Sequence, residues 1–269
     1  MSQETITRWE AFLQKITGRY QEIVAEADAG FADLIATDAA DTITYGNALT
    51  GVGARVDGLG KMMDDTFRDQ VAPQLSTPEE NHCQDRLDAV KTWIENDWEK
   101  RKMAHETNVY RALWPRVQAA MGQGVPCSSC GRELKLSVPY TVEAITCPGC
   151  RTVNQVAPDP VVSTYFGGAP HVFAQQAAFP KREAVAAQRV RAHEWRKVRE
   201  WCDEPIELLQ EYERLERDYW TTYYATVASI SPMSAKDQSE YVESRMRPLY
   251  EQFERNEPAW RRFKGLSTR

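Results

Sequence analysis

Near the start of the chain the apolar positions fall at Trp9, Leu13, Ile16, Tyr20, Ile23 and Ala27, and Leu34 resumes the series after Gly30 takes the intervening place. Steps of three and four keep side chains on one stripe of an α-helix. Phe12, Val24, Phe31 and Ile35 widen that stripe to the face a helix turns toward a bundle. The pattern predicts a helix over about residues 3–36, roughly 50 Å long at 1.5 Å per residue. Gly46, Gly51, Gly53, Gly58 and Gly60 crowd the following stretch. Each interior glycine costs a helix about 1 kcal/mol relative to alanine, so a helix over 42–60 is expected to be interrupted or weak on its own.

Thr77, Pro78, Glu79 and Glu80 read as an N-cap, a proline in the first turn and a capping glutamate three on. Leu87, Val90, Ile94, Trp98, Val109, Leu113, Val117 and Met121 then extend a helix to Gly122, with a polar break after Trp98 and a kink expected at Pro115. Pro158, Pro160, Gly167, Gly168, Pro170 and Pro180 predict an irregular linker, with Tyr165, Phe166 and Phe173 buried in it. Helix resumes from Lys181 to Trp201, and Asp203 with Pro205 caps a new helix or marks a kink. Leu208, Tyr212, Leu215, Tyr219, Tyr223 and Ile230 continue the seam until Pro232 stops it, and Ser234 with Asp237 opens a last helix carrying Tyr241, Val242, Leu249, Tyr250 and Phe253. Two stretches, 77–121 and 181–229, would each span roughly 70 Å as helix, and matched lengths flanking an insertion predict an antiparallel hairpin. The expected fold is therefore mainly α: an elongated helical bundle or antiparallel coiled-coil hairpin with a small β insertion near its tip. The helical body is discontinuous, 1–122 and 181–269, with the insertion at 123–158 and the linker at 159–180.

The insertion carries the chemistry. Four of the six cysteines, Cys127, Cys130, Cys147 and Cys150, form two Cys-x-x-Cys pairs separated by sixteen residues. A turn with two intervening residues aims two thiolates at one point, and the segment between the pairs is long enough for a short hairpin to bring them together. Four thiolates supply the tetrahedral shell that Zn²⁺ accepts at about 2.3 Å per bond. Iron–sulfur ligation is the chemical competitor. Gly131 follows the first pair, Pro148 and Gly149 fill the second, and alternation at Leu134, Leu136 and Val138, at Val142 and Ile145, and at Val153 and Val156 predicts three short strands, the first ending at Pro139. With Cys-Ser-Ser-Cys-Gly and Cys-Pro-Gly-Cys as its knuckles, residues 125–158 resemble the zinc-ribbon superfamily. The resemblance implies one structural Zn²⁺ per chain. It covers about an eighth of the chain and leaves open whether the module contacts nucleic acid, contacts protein, or only staples the helices. An all-cysteine shell leaves no open position for a reactive water. Cys83 and Cys202 stand alone and read as packed free thiols.

Composition narrows the function. With 42% hydrophobic and 27% charged residues the chain is globular. No apolar run reaches the roughly 20 residues of a membrane helix and the N-terminus does not read as a signal peptide, so a cytoplasmic protein is expected. The net charge of −6 is unevenly spread. Residues 1–80 hold 14 acids and 6 bases, whereas Lys181, Arg182, Arg189, Arg191, Arg196, Lys197 and Arg199 oppose three acids over 181–200. This basic helix is read as the complement of the acidic N-terminal third, within one chain or across a dimer. The ribbon is balanced, unlike a phosphate-reading one. Gly51-Val52-Gly53 has Val56 where a dinucleotide loop needs glycine, Gly60-Lys61 has Arg55 and Met62 where a phosphate loop needs glycine and a hydroxyl, and Glu79 with His82 is half of a di-iron motif that does not recur. No Gly-x-Ser-x-Gly elbow occurs. Tyr212, Tyr219, Trp220, Tyr223 and Tyr224 have the spacing of helix packing. The expectation is a non-enzymatic zinc-binding scaffold or adaptor acting through protein–protein contacts, with heptads that suit a homo-oligomer. The alternatives are a nucleic-acid-binding accessory factor using the ribbon and Arg189, Arg191, Arg196, Lys197 and Arg199, and a membrane-binding helical dimer, which the acidic balance disfavours.

Overall fold

Helix α1 spans Ser2–Asp38 and α2 spans Thr42–Thr66, followed by a π-helical turn at Phe67–Val71 and a short 3₁₀ turn at Ala72–Gln74. Helix α3 spans Thr77–Met121, strands β1 to β4 span Val125–Pro126, Glu133–Leu134, Glu143–Thr146 and Val153–Val156, and α4 spans Pro160–Val198. Helices α5, α6 and α7 span Ile206–Ile230, Ala235–Asn256 and Pro258–Phe263. The structure, a computed structural model, describes residues 2–39, 41–198, 205–233 and 235–266. Trp201, Cys202, Asp203 and Ser234 lie outside the described residues. The chain is mainly α with small antiparallel hairpins between α3 and α4. It divides into two compact units, Met1–Arg116 and Val117–Arg269.

In the first unit, the α1 stripe is buried as its spacing predicts: Trp9, Leu13, Ile16, Tyr20 and Ile23 meet Val56, Leu59 and Met63 of α2 and Leu87 and Ile94 of α3. Trp9 Nε1 donates to the Cys83 carbonyl oxygen at 3.3 Å, and Tyr20 Oη donates to Asp97 at 2.7 Å. Helix α2 corrects the expectation of a broken segment. Its five glycines do not interrupt it, because Tyr45, Leu49, Val56, Leu59 and Met63 bury one face and Asp41 caps it by accepting the Thr44 amide at 3.0 Å. Packing of an apolar face outweighs intrinsic propensity. The α3 cap lies one residue earlier than the sequence suggests. Ser76 is the N-cap, its amide and hydroxyl both donating to Glu79 at 3.0 and 2.6 Å, which is the reciprocal half of a capping box. Pro115 sits inside α3 without ending it.

The charge pairing also differs from expectation. Acids of the N-terminal third are met inside their own unit by bases of α3: Glu10 by Arg86 at 2.9 Å, Asp64 by Lys91 at 2.7 Å, Asp28 by Arg101 at 2.9 Å and Asp38 by Arg116 at 2.6 Å. Two bases of the basic segment of α4 pair instead with α5, Lys181 with Asp218 at 2.6 Å and Arg189 with Glu216 at 3.0 Å.

In the second unit, residues 160–180 are the first half of α4, not an irregular linker. Asp159 caps the helix by accepting the Val161 amide at 2.8 Å, and Pro160 occupies the first position, where no amide is needed. Val162, Tyr165, Ala169, Ala174, Ala178 and Val185 are among its buried positions, so the helical period was written partly in alanines. Of the three aromatics expected to be buried there, Tyr165 is buried and Phe166 and Phe173 are half-buried. Ala174 and Ala178 pack with Leu209, Tyr223 and Val227 of α5 and with Met246 and Phe253 of α6, which Trp260 of α7 closes.

Candidate metal centre

The insertion is two hairpins, each wrapped around one cysteine pair. Strands β1 and β2 pair through Val125 with Leu134 and Pro126 with Glu133. Strands β3 and β4 pair through Glu143 with Val156 and onward to Thr146 with Val153. This corrects the expected arrangement, in which one hairpin lay between the pairs. The first strand stops at Leu134 rather than near Pro139 because the Glu143 carboxylate folds the chain after it into a turn. That carboxylate accepts the Ser137 and Val138 amides at 3.0 and 2.6 Å and the Ser137 hydroxyl at 2.8 Å. These bonds, led by the Ser137 amide, hold the carboxyl below its ordinary range.

The two knuckles share one hydrogen-bonding plan. Cys127 N donates to Arg132 O at 2.8 Å and Gly131 N to Cys127 O at 3.0 Å; Cys147 N donates to Thr152 O at 2.9 Å and Arg151 N to Cys147 O at 2.9 Å. The fifth residue of each knuckle must adopt the left-handed conformation. The first uses Gly131 at φ 73°, whereas the second uses Arg151 at φ 62°. A side chain there costs about 1–2 kcal/mol that glycine avoids.

The four Sγ atoms lie within 4.8 Å of one another. Cys127 Sγ is 3.6 Å from Cys150 Sγ, and Cys130 Sγ is 3.6 Å from Cys147 Sγ. A tetrahedron with bonds of about 2.3 Å places its sulfurs about 3.8 Å apart, so the cluster has the dimensions of a single-ion thiolate shell. Cys127 and Cys147 are buried, and Cys130 and Cys150 are exposed. Amides of Cys130 and Ser129 pull the Cys127 thiol down to about 6. The Thr152 hydroxyl and amide lower Cys150. At Cys130 the Arg132 amide lowers the thiol, but the neighbouring sulfurs of Cys150 and Cys147 outweigh it and drive it up to about 11. Four thiolates this close repel one another, and a divalent cation among them removes the conflict.

Asn154 of β4 ties the knuckles together and was not legible in the sequence. Buried, it accepts the Ser128 amide and hydroxyl, both at 2.9 Å, and its Nδ2 donates to Thr152 O at 3.0 Å and approaches Cys127 Sγ at 3.5 Å. Thr152 Oγ1 donates to Ser129 Oγ at 3.0 Å. Such contacts orient ligands and tune their basicity. The apolar support is small: Cys127, Leu134, Cys147 and Val156 form the buried cluster, with Leu136 and Ile145 against it.

Of the basic candidates, Arg189 and Arg191 have described side chains. Arg189 Nε donates to Tyr212 Oη at 2.6 Å and its guanidinium pairs with Glu216, so it braces α4 on α5. Arg191 approaches Gln188 Oε1 at 3.4 Å. The side chains of Arg196 and Lys197, and all of Arg199, lie outside the described residues. Tyr219, Trp220, Tyr223 and Tyr224 pack in or against the core of the second unit, as their spacing predicts. No family model, curated protein or solved structure matches the chain.

Proposed function

We propose that the protein is a non-enzymatic scaffold or adaptor whose Cys127, Cys130, Cys147 and Cys150 hold one structural Zn²⁺ and whose surfaces engage a protein partner. The observation that carries this reading is the convergence of four thiols, at single-ion spacing, on hairpins with a core too small to stand alone. Zinc suits them because the shell is all sulfur and tetrahedral, and bound there it supplies structure: four protein ligands leave no place for a substrate. The ribbon's balanced charge and the pairing of Arg189 with Glu216 favour protein over polyanion as the partner. Among the described residues no helix is long and apolar enough to cross a membrane, and a cytoplasmic place is part of the same proposal.

The test is affinity capture from cell extract with the wild-type chain and with Cys147→Ser, which loses the shell. Proteins retained by the first and lost by the second support the adaptor reading. Recovery of nucleic acid, or of no macromolecule, contradicts it.

A further inference from the structure

The arrangement of the sulfurs bears on how the site is regulated. Cys130 and Cys150 are exposed, one from each knuckle, while Cys127 and Cys147 are buried. Each exposed cysteine has its Sγ 3.6 Å from that of a buried cysteine of the opposite knuckle, Cys150 beside Cys127 and Cys130 beside Cys147. An accessible thiolate with a second thiol in reach is the arrangement that hydroperoxides oxidise to a disulfide. The geometry points to a redox-controlled metal site: hydrogen peroxide converts the four ligands into two cross-knuckle disulfides, Cys127–Cys150 and Cys130–Cys147, and releases the ion. This inference rests on the zinc reading of the same cysteines.

The chemistry balances. The exposed thiolate attacks the peroxide, the O–O bond breaks, and a sulfenic acid and hydroxide form. The facing buried thiolate then attacks the sulfenyl sulfur, the S–S bond forms, and a second hydroxide leaves. Two protons turn the hydroxides into water, so each peroxide is reduced to two waters by the two electrons of one thiolate pair. Two peroxides oxidise all four ligands and free one Zn²⁺. Arg151, strained at φ 62°, sits between Cys150 and Thr152, where loss of the ion allows the knuckle to relax.

The experiment uses the full chain with Cys83→Ala and Cys202→Ala, loaded with zinc and checked by elemental analysis, then titrated with hydrogen peroxide. A metallochromic dye reads free zinc, and mass spectrometry maps the non-reduced peptides. The same mapping on the unsubstituted chain covers any disturbance that Cys83→Ala causes at its buried position. The expected result is one zinc released per four thiols lost, with peptides linked 127–150 and 130–147, reversed by dithiothreitol and added zinc. Zinc that stays bound while peroxide fully oxidises glutathione in the same tube overturns this inference alone, as do disulfides within a knuckle, 127–130 and 147–150. A chain that binds no zinc before peroxide is added overturns the zinc reading and this inference with it.

Discussion

Arg151 is the one described residue other than glycine held at positive φ, at the position where the first knuckle places Gly131. Arg151→Gly is therefore expected to stabilise the ribbon, by about 1 kcal/mol once the greater freedom of glycine in the unfolded chain is deducted. A higher midpoint for metal loss in guanidinium would show it, and a lower one would refute the strain argument. Asn154→Ala removes acceptors from Ser128 and the amide beside Cys127, and a chelator competition is expected to report metal affinity reduced about 10- to 100-fold. The lowered Cys127 thiol, at about 6, sets a pH dependence. Between that value and the ordinary thiol range the folded ribbon binds fewer protons than the unfolded chain, so this contribution grows as pH rises and is lost as pH falls through about 6. Metal release on acidification follows the same direction, since protons compete for the ligands. Spacing alone identified the four cysteines, because two Cys-x-x-Cys turns have few other uses. Asn154, Thr152 and Glu143 escaped notice because a polar residue in a short strand looks the same whether it faces water or a thiol.

At the scale of elements, α2 shows how packing overrides composition. A Cβ added at Gly46, Gly51, Gly58 or Gly60 would meet nothing within 4 Å. Each Gly→Ala change there is expected to raise stability by about 0.5–1 kcal/mol in chemical denaturation; a loss at these positions would mean that they face something the chain itself does not provide. The long periodic helices α1 and α3 were legible nearly to their ends. The first half of α4 was not, because Pro160 and Pro170 read as breakers. Pro160 is harmless at a first helical position, and the buried stripe through Ala169, Ala174 and Ala178 carries little hydrophobic signal.

For the whole molecule, the chain divides into Met1–Arg116 and Val117–Arg269, and the second unit holds both the cysteine cluster and a helix core around Tyr223, Met246 and Trp260. The first unit has its own core around Trp9, Tyr20 and Met63 and its own ion pairs. Some of the acids of the N-terminal third are paired within that unit by bases of α3, as Asp64 is with Lys91 and Asp38 with Arg116. Chelation is thus expected to leave most far-ultraviolet helical signal intact while exposing four reactive thiols. The most direct test of the central claim is the zinc content of the purified full chain by elemental analysis. One Zn²⁺ per chain, lost in Cys127→Ser, is the predicted result; a chain without metal and with four freely titratable thiols between 127 and 150 would contradict it.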